Sequence, residues 1–319
     1  IVTEGTNVPQ AALTKEYTYD ALGQLATEVN GSGTTFGYAY DTAGNIRNIT
    51  KDGTVTKSFG YTNPSWPDLL TSVTANGTTK DVLYEGQSQT SDLPSSGNPI
   101  TYYNGKDYTF TWTKGRQLTS ATVDGEQVSY TYDMSGVRSN KQVGDTTYTY
   151  TTLSGKVMRQ QWDGKTLEFV YDDGNQPFAV IYKHGQTTEL YYYVLNAQGD
   201  VSAILDSSGK LAASYDYDAW GNCTVYDSSA KVLTDPTSIA NLNPLRYRGY
   251  YYDAETGFYY LQSRYYDPAI CRFINADTFA TTDANGFLSA NMFAYCENNP
   301  VGNSVIVREN SQFRSLQRQ

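Results

Sequence analysis

Histidine is nearly missing from this chain: His184 is the one copy in 319 residues. Any Ser/His/Asp or Cys/His arrangement must use it, and it stands in Lys183-His184-Gly185-Gln186, which reads as a solvated hairpin tip. Cysteine is scarce too. Cys223, Cys271 and Cys296 make an odd number without metal-ligand spacing, which excludes a zinc cluster and a disulfide framework. Glycines fall singly at turns rather than before a helix, so no phosphate-cradling loop is present, and the sequence calls for no cofactor and no metal. No run of twenty apolar residues occurs, and no membrane span is expected. Lys and Arg total 23 against 33 Asp and Glu, a formal charge of −10, which argues against a nucleic-acid surface. Strong helix-forming stretches are almost absent, and residues 285–296 and 307–318 are the places where a short helix is allowed. The chain opens on Ile1 without a leader, which reads as a fragment or a processed chain.

Tyrosine, by contrast, is abundant, with thirty copies. It recurs in one phrase, Tyr-x-Tyr-Asp-x-x-Gly, four times without a mismatch: Tyr17 to Gly23, Tyr38 to Gly44, Tyr130 to Gly136 and Tyr215 to Gly221. Tyrosines two apart point to one side of an extended strand, so Tyr17/Tyr19, Tyr38/Tyr40, Tyr130/Tyr132 and Tyr215/Tyr217 are read as structural aromatic pairs. Asp at the first and Gly at the fourth position is the choice of a type I turn. The structural turn residues are therefore Asp20, Gly23, Asp41, Gly44, Asp133, Gly136, Asp218 and Gly221. Such aspartates cap turns rather than bind calcium, because no loop gathers several oxygens within a few residues. Between the phrases lie two-residue turn signals: Asp52-Gly53, Asn76-Gly77, Asn104-Gly105, Asp124-Gly125, Asp163-Gly164 and His184-Gly185. Repetition of this kind predicts an all-β array of antiparallel hairpins. The proline- and serine-rich stretch 63–98 reads as irregular.

From Pro244 the text becomes dense: Pro244-Leu245-Arg246-Tyr247-Arg248-Gly249-Tyr250-Tyr251-Tyr252-Asp253, Gly257-Phe258-Tyr259-Tyr260-Leu261, Arg264-Tyr265-Tyr266-Asp267-Pro268, Arg272-Phe273-Ile274-Asn275-Ala276-Asp277, and finally Asn298-Asn299-Pro300. The repeats resemble the YD repeats of Rhs proteins, and this block resembles the Rhs repeat-associated core. The resemblance implies a long curved, spiralling sheet that is part of a hollow β-shell. It implies a YD-repeat region at 1–243, the associated core at 244–300, and at 301–319 a short tail that is not a toxin domain. It further implies a bacterial product, secreted or associated with the cell envelope, that encapsulates and helps deliver a C-terminal toxin or effector cargo, with secretion or cell-surface components as further partners.

Family members that release cargo cut themselves with two aspartates and an arginine. Arg264 and Asp277 match two of these positions. The second aspartate belongs in an Asp-Pro-x-Gly phrase, where this chain reads Pro300-Val301-Gly302-Asn303-Ser304. Two carboxylates divide acid and base roles by shifting one another's pKa, and one beside an arginine is simply held ionised. The expectation is a structural, non-enzymatic chain without self-cleavage, unless Asp253, Asp267 or Asp283 serves as the partner. The rival reading is a surface adhesin whose exposed tyrosines stack on carbohydrate, against which cross-strand packing pairs are the commoner use of such rings.

Overall fold

The computed structural model describes residues 15–87, 96–277 and 291–303. The protein is all-β, with every strand pairing given below antiparallel, and the chain forms two compact units. In one, seven strands run in sequential order from Glu16–Tyr19 to Thr78–Asp81. The same unit holds a second ladder, Leu83–Tyr84, Pro99–Tyr103, Asp107–Thr113 and Gln117–Val123, and a short pair, Tyr265–Asp267 with Arg272–Phe273. The other unit holds nine sequential strands from Arg138–Val143 to Cys223–Asp227, and the pair Tyr251–Asp253 with Phe258–Tyr260. Among the described residues no helix is long and apolar enough to cross a membrane.

The turns show why the phrase repeats. Oδ1 of Asp20 accepts from the backbone N–H of Leu22 and of Gln24, each at 2.9 Å. Asp41, Asp133 and Asp218 do the same two and four residues onward, at 2.9–3.0 Å. The fourth residue then needs the left-handed region: φ is +79° at Gly23 and +93° at Gly221. Asn30 and Asn196 build the same turn with an amide oxygen, and Asp206 and Asp227 build it with a carboxylate oxygen, so the device extends beyond the four full phrases. Asp52-Gly53, Asn76-Gly77, Asp124-Gly125 and Asp163-Gly164 have positive φ at both residues, as a type I′ turn requires.

Two of the expected turns differ. Tyr103 pairs with Asp107, so Asn104-Gly105 belongs to a three-residue loop. His184 pairs with Thr187, which makes Gly185-Gln186 the tip and His184 the last residue of its strand.

The strands alternate. In Asp107–Thr113 the buried residues are Tyr108, Phe110 and Trp112, whose rings lie 5.7 and 6.0 Å apart in sequence. The last aromatic before a turn often has a second task that explains a polar ring. The hydroxyls of Tyr40, Tyr171 and Tyr217 donate to the carbonyls of Leu25, Val157 and Val201 at 2.7–2.9 Å, and Trp112 Nε1 donates to Pro99 O at 2.6 Å. Each acceptor lies 13–16 residues earlier, at the start of a strand, so these four side chains stitch their turns back to an earlier strand.

Helix placement differs from expectation. The one short α-helix described is Ile239–Leu242, started by Ser238, whose hydroxyl accepts from Asn241 N. Residues 291–295 are not helical before the left-handed turn Cys296–Asn298, while 285–290 and 307–318 lie outside the described residues. The stretch 63–98 also carries three short strands, Ser72–Ala75, Thr78–Asp81 and Leu83–Tyr84.

Candidate functional site

Arg264 and Asp277 do meet. Arg264 Nη2 lies 3.1 Å from Asp277 Oδ2, and its guanidinium carbon stands 3.5 Å above the centre of the Phe273 ring. The pair is partly open, with the Asp277 side chain 37 % accessible. Asp277 is placed by its own backbone, whose N–H donates to Met292 O at 2.9 Å.

The candidate second aspartates make their contacts elsewhere. Asp253 is fully buried, with Oδ2 2.6 Å from Arg138 Nη1 and Oδ1 3.2 Å from Lys141 Nζ. Asp267 is also fully buried, and it accepts from Tyr102 Oη and Asn104 Nδ2, both at 2.7 Å, and from Ala269 N at 2.8 Å. Burial pushes the Asp267 carboxyl above the usual carboxylate range, and its hydrogen bonds from Asn104 and Tyr102 oppose that shift. Asp283 lies outside the described residues. These two YD aspartates thus differ from the turn caps. They bind side chains more than a hundred residues away, and they anchor the dense block to repeat strands.

Charge in this interior is held by rings. The Arg138 guanidinium carbon lies 4.4–5.2 Å from the centres of Tyr130, Tyr150, Tyr251 and Tyr260. Tyr251 Oη donates to Gln160 Oε1 at 2.5 Å, which fixes one wall of that cage. Lys141 reaches Glu255 as well, at 2.8 Å. Arg272 is treated alike, 4.6 Å from the Phe293 ring, with Nη1 donating to Tyr61 Oη at 2.7 Å. Arg246 lies 4.6 Å from the Tyr252 ring. The internal repeats hold a signal for Arg138. It follows its turn glycine by two residues, the place of Leu25 and Ile46, both buried in their copies. A charged residue in a core slot needs a partner, and Asp253 supplies it.

The structural aromatics are covered to different degrees. Tyr38, Tyr130, Tyr215 and Tyr217 are buried, Tyr17, Tyr40 and Tyr132 are half-buried, and Tyr19 is 42 % exposed. His184 is not a bare turn residue. Its ring stacks on Tyr182 at 4.5 Å, and Nε2 lies 3.2 Å from Glu189 Oε2. Burial raises the Cys223 thiol to about 11, and Cys271 and Cys296 are buried.

A family model of the teneurin YD-shell matches residues 1–301. The tRNA3(Ser)-specific nuclease WapA of Bacillus spizizenii is 36 % identical over 303 residues, covering 89 % of this chain and 11 % of the relative. The double-stranded DNA deaminase toxin A of Burkholderia cenocepacia is 27 % identical over 321 residues, covering 90 % of this chain and 20 % of the relative. This chain therefore spans a fifth or less of each of these two proteins. The crystal structure of TcdB2-TccC3-TEV superposes with a TM-score of 0.60 at 21 % identity, over 91 % of this chain and 15 % of that one, which shows a shared fold. With the family match running from the first repeats through the dense core block, the chain belongs to the Rhs and teneurin type of YD-shell family.

Proposed function

We propose that this chain is the C-terminal part of a YD-repeat shell that encloses a toxin or effector polypeptide and helps deliver it, and that it acts structurally rather than as an enzyme. Residues 1–243 supply repeats and 244–300 the closing core. The secreted or envelope-associated setting of a bacterial toxin follows from the same reading. One observation carries it. A relative named as a tRNA nuclease and a relative named as a DNA deaminase toxin share this same stretch, at nine-tenths of its length. A segment common to proteins with different named reactions is a carrier for them, and the reactions belong to the rest of those longer chains.

The adhesin reading finds little to stand on among the described residues. Tyr19 and Phe178 are the aromatics among the exposed large hydrophobics, at 42 % and 51 %, while half of the repeat tyrosines are buried and all but Tyr19 of the rest are half-buried. The missing second aspartate, with Asp253 and Asp267 engaged elsewhere, supports an inactive cleavage position.

Limited proteolysis of the natural protein together with its downstream sequence tests enclosure. The downstream segment should resist digestion while the repeats are folded, and it should become sensitive in denaturant. Equal digestion in both conditions would sink the container.

A further inference from the structure

Two adjacent hairpin tips, residues 153–156 and 172–175, enclose a hollow of about 390 Å³, within the size range of small-molecule sites. Each tip is fixed. Ser154 and Gly155 both have positive φ, the Gly155 carbonyl accepts from Gln262 Nε2 at 3.0 Å, and a Cβ on Gly155 would stand 2.3 Å from that amide nitrogen. Asp172 Oδ1 accepts from Gln176 N at 2.8 Å, and Asn175, at φ +63°, closes the other tip. The bond from the Tyr171 hydroxyl to Val157 O ties the two hairpins together. The walls of the hollow are therefore built by the protein alone.

The lining divides by chemistry. Leu153 and Val170, 65 % and 39 % exposed, form an apolar wall with Met158. Lys156 lines the same hollow, with Nζ donating to Asn175 O and standing 4.7 Å from the centre of the Tyr171 ring. Asn175 O is its one hydrogen-bond acceptor among the described residues, and an ammonium carries three donors. Burial pulls the Lys156 amine below its ordinary value, and the charge of Asp172 only partly offsets that, so the cation is under-compensated.

We propose that this hollow binds a small monocarboxylate with an apolar tail, the carboxylate accepting from Lys156 Nζ and the tail covering Leu153, Met158 and Val170. The head gains a charge-assisted hydrogen bond, and the tail takes apolar surface out of water. Asp172 belongs to the lining too, which favours a single negative charge over a phosphate or a dicarboxylate.

Sodium octanoate, kept below its micelle concentration, is the probe. In the chain labelled with 13C at Leu and Val methyls, the Leu153 and Val170 signals should shift saturably. Sodium propionate, a head with little tail, should bind more weakly by about tenfold or more, and 1-octanol, a tail without the charge, by about fivefold or more. Lys156→Met should weaken octanoate binding about fivefold at an unchanged melting temperature, and Lys156→Arg should keep most of it. Leu153→Ser should weaken binding while leaving the amine in place. Leu83 and Val232, exposed elsewhere, report unspecific adhesion. Shifts shared equally by those two methyl groups, octanol binding as tightly as octanoate, or an affinity unchanged in Lys156→Met would each overturn the site.

Discussion

Replacing Asp253 by Asn should cost this fold more than any turn aspartate. The residue is fully buried, and it neutralises Arg138 at 2.6 Å and Lys141 at 3.2 Å, both nearly inaccessible themselves. With Asn there, Lys141 keeps Glu255, and Arg138 loses this ion pair while keeping the rings around it. Breaking a buried ion pair from one side costs about 3–5 kcal/mol, because a charge stays behind uncompensated. Four cation–π contacts soften this, at up to about 2 kcal/mol for a desolvated one, so the low end, about 3 kcal/mol, is expected. For a unit of this size that is roughly 6–12 °C in melting temperature. Asp20→Ala, which removes two backbone bonds at an open turn, should cost only about 0.5–1.5 kcal/mol. Urea unfolding read by circular dichroism would measure both variants. A double-mutant cycle with Arg138→Gln should return a coupling of about 1–3 kcal/mol. A loss below about 1 kcal/mol for Asp253→Asn, or no coupling, would refute the anchor and leave the tyrosine cage as a sufficient solvent for Arg138.

Other outcomes are as specific. Gly221→Val should destabilise far more than Gly23→Val: both glycines have positive φ, but a Cβ at Gly221 meets the Tyr247 ring at 2.7 Å, whereas Gly23 faces open space. About 1–2 kcal/mol of backbone strain is expected at Gly23 and more than about 3 at Gly221, and equal losses of melting temperature would contradict the packing. His184→Ala removes one stacking contact and one part-buried hydrogen bond, so a loss of no more than about 1 kcal/mol is expected by the same melts. Alkali should unfold the protein cooperatively. Burial pushes Tyr260 up to about 12 and raises Tyr130, Tyr251 and Tyr259 as well, so the folded state keeps protons that the unfolded chain releases near pH 10. That stability is complete below about pH 10 and is lost as pH rises toward 12, and tyrosinate absorbance rising well before the loss of ellipticity would argue against it. The purified chain should show its full encoded mass after prolonged incubation, and a fragment ending near Pro300 would revive the protease.

The hairpin array was legible because everything that specifies it is local. An Asp that caps N–H groups two and four residues ahead, a Gly in the left-handed region and an alternating aromatic face need no distant partner, so they repeat as text. The same local rule could not separate Asp253 and Asp267 from Asp20 and Asp41, since all four follow a tyrosine. What separates them is the identity of residues 115 and 165 positions away, Arg138 and Tyr102. Of the candidate site, motif matching placed Arg264 and Asp277, and the structure joined them at 3.1 Å. The contact of Gly97 with Ala276, whose N–H donates to Gly97 O at 3.2 Å, was hidden in a stretch with no periodicity, because a close backbone approach leaves no mark in sequence beyond a glycine. Turns and strand faces are thus decided by the sequence itself, through contacts within a few residues. Which aspartate caps a turn, which neutralises a buried arginine and which stays accessible beside Arg264 is decided only by tertiary packing, which sets what solvent and what charges each carboxylate meets.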